Sequence, residues 1–324
     1  MKPLLFLVAK LSVSLLLIGV IAWRLDLAAF GRTLAAADLA IVALAAAQLF
    51  LQPFIGTIRW RSIVRALGGS LPFAQALRLN FVAIFFNQVL PGAVVGDGVR
   101  IWLAQRQGLT WRRAIHSVAA DRLFMLGLLV VLVLLAEPWL AERLGIGAAP
   151  WLWPVAGAGL LLGIAMLLAA KRLPPGWLRR RTVRWAHDLA EDLRILLFRP
   201  GTSLVLLLNG LVSYTSLGVT IWLLGRSVGA AIPTEAYLLV VPPLILASVL
   251  PISIGGWGVR EVAALSLLTA VGADETQAVA ISVLLGLVSL LVALPGLPFW
   301  ILGREDRRRR DLPVAGLSSA ATRD

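Results

Sequence analysis

The sequence contains no cysteine, which excludes disulfides, thiolate metal sites and cysteine nucleophiles. Histidine is nearly as scarce, with only His116 and His187, so a histidine-based metal centre is not expected. No GxxxxGK[ST] phosphate loop occurs, which removes direct ATP drive. Charge is thin as well. Only 15% of the 324 residues are Asp, Glu, Lys or Arg, where soluble domains carry about a quarter.

Apolar sequence fills the space instead. Hydrophobic residues make up 59% of the chain and the mean hydropathy is +0.88. Runs long enough to cross a bilayer as helices recur, with no period-two alternation of a barrel. The expected fold is an all-α polytopic membrane protein. The net charge of +13 is concentrated in connectors and the tail, the positive-inside pattern of a membrane protein rather than a nucleic-acid footprint. Nucleic acid is therefore not an expected partner.

Spans are expected near 4–23, 39–58, 114–136, 151–170, 204–224 and 278–302, about six in all. The first resembles a signal-peptide core, but Arg24, Asp26 and Arg32 separate it from the small-residue stretch, so an uncleaved helix is expected. The second is expected to stop at the basic "RWRSIVR". Between 171 and 201 lies a basic insert in which Val183, Ala186, Leu189, Leu193 and Leu196 recur at helical spacing. It reads either as a helix on an anionic lipid surface or as a linker helix capping the bundle. Residues 1–303 then form one membrane domain, and 304–324 a basic, disordered tail that also faces anionic lipid.

Two polar stretches interrupt this pattern. "VLPGAVVGDGVR" at 89–100 and "VLPISIGGWGVR" at 249–260 share Val, Leu, Pro, Gly, Gly, Val and Arg at one spacing. Pro91 and Pro251 should end incoming half-helices, and Pro242 with Pro243 should break the segment before the second motif. Placing the basic connectors inside puts both termini in the cytoplasm. Six crossings meet that parity if both motifs are re-entrant. Three crossings then lie between them, which inverts one copy relative to the other, as in many transporters.

Irregular backbone at membrane depth survives only when buried or lining a wet cavity. Arg100 and Arg260 are expected at the starts of the returning helices, where a guanidinium can grip a phosphate or carboxylate with two hydrogen bonds. Gly96, Gly98, Gly256 and Gly258 would let backbone approach a ligand, with Asn87 and Trp257 beside them. Two such loops would form a positive waist suited to a lipid phosphate. The acids leave two readings open. Asp97, Asp121 next to Arg122, and Glu261 either couple protons or neutralise Arg78, Arg100, Arg122 and Arg260. Asn80 and Asn87 likewise either line the cavity or cap broken helices. Asn209, Ser213, Tyr214, Thr215 and Ser216 read as helix–helix hydrogen bonding.

"RW" at Arg59–Trp60, "FNQVLPGAVVGDGVR", "ADR" ending at Arg122 and "PISIGGWGVRE" together resemble the lysylphosphatidylglycerol synthase transmembrane family. Its members are also described as flippase-like. Where that family often has two glycines before the aspartate, Val95 replaces the first. The resemblance implies an inner-membrane protein that moves or handles a phosphate-bearing lipid, either a phospholipid or an isoprenoid-linked lipid. Full-length synthases add a soluble aminoacyltransferase domain. About twenty residues follow Gly303, below a domain's minimum of roughly 50, so lysyl transfer is not expected.

The expected function is a lipid flippase or scramblase-like transporter without cofactor or metal. The alternative is a non-transporting accessory protein that binds lipid and a membrane-bound lipid or glycan biosynthetic enzyme. An intramembrane enzyme using Asp97 or Glu261 is a third reading, but it has no nucleophile or carboxylate pair to support it.

Overall fold

The computed structural model describes residues 26–90, 94–144, 152–169, 180–249 and 258–311, with isolated positions between 12 and 23. Pro91, Pro251, Gly256 and Trp257 lie outside the described residues, as do most of the first expected span and residues 312–324.

Helix α1 (Leu27–Ala35) starts at Asp26, whose Oδ1 accepts the N–H groups of Ala28 and Ala29 at 2.9 and 3.0 Å. Asp38 caps α2 (Leu39–Leu49) in the same way. Such caps satisfy amides that have no partner within the helix. Helix α3 (Gln52–Ala66) follows with Pro53 in its first turn, and together α2 and α3 make one apolar stretch from Leu39 to Ala66. The expected stop before Arg59 is not observed. The buried stripe Pro53, Thr57, Trp60 and Val64 has the spacing of one helix face and continues through the arginines, with Arg59 buried beside it.

The first motif bends between α4 (Phe73–Val89) and α5 (Val95–Arg106). A long helix, α6 (Trp111–Leu144), and a short apolar one, α7 (Leu152–Ala169), come next. Helix α8 (Arg181–Phe198) is the basic insert. It lies on α3, α6, α7 and α9, with Leu189 and Leu196 buried, as a linker capping the bundle would. Helix α9 (Pro200–Ser227) leads to α10 (Thr234–Val249) and α11 (Val259–Ala270), the arms of the second motif. Pro242 and Pro243 were expected to break α10, yet the helix runs through both. Prolines are tolerated in membrane helices where neighbours support the freed backbone groups, and α10 packs on α6, α9 and α11. Helices α12 (Glu275–Ala293) and α13 (Gly296–Asp311) complete the chain, and α13 continues past Gly303 through the basic run.

Four described stretches are long and apolar enough to span a membrane: Leu39–Ala66, Trp111–Ala136, Pro200–Ser227 and Glu275–Gly303. They flank the two bent pairs, so span, bent pair and span occur twice in order. The apolar core follows this order only in part, since Ala45, Leu49 and Ala136 join the larger of two main clusters and Ile63, Ala120, Leu196 and Leu206 form a third. One cluster joins α3 to α6 through Trp60, Val64, Leu79, Leu103 and Val118. The larger joins α9 to α12 through Leu224, Tyr237, Leu244, Leu268 and Leu285. Leu204, Leu208, Val212, Leu287 and Leu291 remain exposed on the outside. Such a surface suits lipid and would be a liability in water. Among the described residues there is no strand.

Candidate functional site

The site is built around the first bend. Helix α4 ends at Val89, ahead of Pro91, since the residue before a proline avoids helical backbone and the ring cannot continue the hydrogen-bond ladder. The return helix α5 lies tight against α4 at Gly96. A Cβ there would strike the Ala83 carbonyl oxygen and the Asn87 side chain, so only glycine permits the approach. Asn87 Oδ1 accepts the Gly96 N–H at 2.8 Å. Of its two expected roles, Asn87 takes that of closing the broken helix. Gly98 is exposed, with open space where a side chain would stand.

The sequence places Arg100 at the start of the return helix, but α5 begins at Val95 and Arg100 is its sixth residue. Asp97 holds the first-turn position instead, where a carboxylate complements the helix dipole. Asp121 and Arg122 were expected near the start of their span, at its cytoplasmic end. Helix α6 begins at Trp111 and has 34 residues, so at about 1.5 Å per residue Asp121 lies about 15 Å along it.

Three helices bring five charges together there. Arg59 on α3 donates from Nε to Asp121 Oδ1 at 2.7 Å. Arg100 on α5 reaches Asp121 Oδ2 and Asp97 Oδ1, both at 3.4 Å. Arg122 on α6 grips Asp97 with two hydrogen bonds, at 2.7 and 2.9 Å. Asp97, Arg100 and Asp121 are each 3% exposed. The Arg122 side chain is 57% exposed and forms the open edge. An Arg or Asp at the centre of a membrane helix costs about 2.5–3.5 kcal/mol on insertion scales, so these residues are tolerated because they offset one another.

The offset is incomplete. Three guanidiniums face two carboxylates, which leaves one positive charge. Arg100 is also held loosely. Its third contact, to Asn80 Oδ1, is 3.5 Å long, and its buried Nε has no hydrogen-bond partner. Its guanidinium lies 4.8 Å from the Trp60 ring centre, a cation–π contact, and Trp60 donates to Ser117 Oγ. Asn80 spends its own amide on Pro53 O and Thr57 Oγ1. Arg78 stands apart, with its charge over the Phe299 ring.

Arg59, Asn209 and Ser213 were not singled out from the sequence as members of this site. Asn209 Oδ1 and Ser213 Oγ accept from Arg59 Nη1, each at 3.3 Å. As expected, the polar residues of α9 bridge helices. Asn209 donates to Ile55 O, Tyr214 to Met125 O, and Ser216 accepts from Gln48. The signal for Arg59 was its place beside the buried stripe of α3, four residues before the buried Ile63.

The second bend is held differently. Gly258 has φ +88° and begins α11, and the Glu261 carboxylate turns back to accept its N–H at 2.5 Å, half of a capping box. Glu261 Oε1 also takes Arg260 Nη2 at 2.7 Å, Arg260 Nε at 3.1 Å and Ser282 Oγ at 3.2 Å. Arg260, the second residue of α11, is thus clasped by the adjacent acid. Helix α5 packs on α4 and α6, whereas α11 packs on α10 and α12. Arg100 and Arg260 occupy two separate polar clusters.

No group of three His, Cys, Asp or Glu able to hold a metal occurs among the described residues. The geometry supplies guanidinium donors and counter-charges at membrane depth, chemistry suited to holding an anion. Fold and site together define a multi-pass helical membrane protein with a buried, net-positive ion cluster. The family described as "Lysylphosphatidylglycerol synthase TM region" matches residues 7–296, and the chain belongs to it. A stretch of 69 residues is 33% identical to a UPF0104 membrane protein of Methanothermobacter thermautotrophicus. That similarity covers 21% of this chain and 20% of the relative.

Proposed function

We propose that this protein is a flippase or scramblase-like transporter that moves a phosphate-bearing lipid across the cytoplasmic membrane. The observation that carries the reading is the single surplus positive charge at the Arg59–Arg100–Arg122 cluster, with Arg100 Nε unpartnered. A phosphate monoanion would neutralise it and supply the missing acceptor. The exposed Arg122 and the open space at Gly98 offer the approach. Glu261 and Ser282 already engage Arg260, so Arg100 is the principal headgroup contact and Arg260 the secondary one. Asp97, Asp121 and Glu261 all serve arginines as counter-charges, which favours passive exchange over proton coupling.

The reading takes both bends as re-entrant. Helices α5 and α11 have 12 residues each, about 18 Å, too short to cross alone. The order of span, bent pair and span occurs twice, and taking α7, 18 residues or about 27 Å, as a third crossing between the bends makes the repeat inverted, with both termini in the cytoplasm. Labels at Thr110 and Asp274 should then report opposite sides of the membrane, and agreement between them would remove the inversion. For the activity itself, purified protein is reconstituted into vesicles with fluorescent phospholipids, and a quencher added outside reads how much probe is accessible. Transport predicts that more than half becomes accessible within minutes. Binding without movement would instead favour an accessory role beside a biosynthetic enzyme.

A further inference from the structure

We infer that the protein carries a second phosphate site, outside the buried cluster, in a cavity where α3, α6 and α8 meet. The cavity has a volume of about 400 Å³ and is lined by Leu67, Thr110, Arg112, Arg113 and Asp192. That is the scale of small-molecule sites, roughly 300–1,000 Å³, with room for a phosphate and a glycerol-sized ester group.

Its charges are arranged to leave the arginines available. The wall acid Asp192 is occupied by His116 Nδ1 at 2.6 Å. Arg112 meets Asp188 at 3.6 Å, with its side chain 60% exposed, a geometry worth little in water. Arg113 pairs with no carboxylate among the described residues, and its guanidinium lies against Gly68. Thr110 fixes the start of α6 by accepting the Arg113 N–H at 3.3 Å, so both arginines stand on a rigid helix end.

The surroundings place the cavity at headgroup level. Trp111, beside Arg112 in sequence, and Trp185, edge-on to the His116 ring, are each about half exposed, and tryptophan collects at membrane interfaces. Arg112 lies ten residues before Arg122 on α6, a rise of about 15 Å. One helix therefore carries a guanidinium station at the interface and another at membrane depth. The ligand is a phosphate ester, supplied by a lipid headgroup or by a soluble metabolite. The site stands whether or not the protein transports lipid.

The test is residue-level photocrosslinking of the full chain in detergent micelles with a phosphatidic acid bearing a headgroup-side diazirine. Label is expected on Leu67, Thr110 or the Arg112–Arg113 peptide. The exposed double substitution Arg112→Ala/Arg113→Ala should cut it at least tenfold and leave label around Arg100 unchanged. Asp188→Ala, which frees Arg112, should raise it. Competition by excess sn-glycerol 3-phosphate would show that soluble phosphate esters enter, and its failure would assign the site to lipid. Absence of label at this cavity, or equal label in the double variant, overturns the inference without bearing on Arg100.

Discussion

Removing Asp121 should damage the protein more than removing its closest partner, and removing both should be milder than removing Asp121 alone. Asp121→Leu leaves Arg59, Arg100 and Arg122 facing Asp97 alone, so the surplus rises from one positive charge to two. Breaking a buried pair from one side costs about 3–5 kcal/mol. Arg59→Leu acts in the opposite sense. It removes a charged hydrogen bond at 2.7 Å, worth about 1.5–3 kcal/mol, but leaves two guanidiniums facing two carboxylates. The double variant restores the original surplus of one. Its loss should fall short of the sum of the single losses by about 3 kcal/mol, at least as much as the Arg59→Leu loss itself and roughly a 150-fold difference in the folded-to-unfolded ratio. Reversible unfolding in mixed micelles measures this, read by tryptophan emission, since Trp60 is fully buried against Arg100. Losses that simply add would refute the charge-balance reasoning.

The two glycines of the first motif should behave oppositely. Gly96→Ala forces a Cβ onto the Ala83 carbonyl and should cost about 1–3 kcal/mol, whereas Gly98→Ala, in open space, should change thermal stability little. Glu261→Gln removes the counter-charge of Arg260 and leaves one carbonyl oxygen where two carboxylate oxygens accepted from the Gly258 N–H and from Arg260, and should speed hydrogen exchange at the start of α11 while leaving α5 protected. Asp192→Asn weakens the buried tie to His116, so proteolysis within 181–198 should accelerate with little change in the rest of the bundle.

Much of the fold was legible in the sequence because a bilayer makes length and polarity strict. Long apolar runs had to be helices, and the Pro–Gly pairs had to interrupt them. Charged side chains were harder to place. "RWRSIVR" looks like the basic flank of a span, and only its place before Trp60 and one turn before Ile63 sets Arg59 apart from Arg61 and Arg65. Only the carboxylate of Asp121, 62 residues away in sequence, makes Arg59 an interior residue. The motif arginines were legible as polar anchors with differently placed acids, but which of them its acid holds was not. Their difference follows from where the acid stands. Glu261 adjoins Arg260 and clasps it, while Asp97, one turn before Arg100, is taken mainly by Arg122. The path of α10 through Pro242 and Pro243 was hidden for a related reason, since proline is a breaker by local rules and tertiary packing overrides them here.

The central claim is that Arg100 receives the lipid phosphate and that its loose coordination makes this possible. Lipid movement by Arg100→Ala in reconstituted vesicles tests it most directly, alongside Arg260→Ala and with the fold of each checked by thermal unfolding. The account predicts that folded Arg100→Ala loses nearly all movement and that Arg260→Ala, whose arginine already serves Glu261, loses less. Movement at the unmodified rate by folded Arg100→Ala would contradict it.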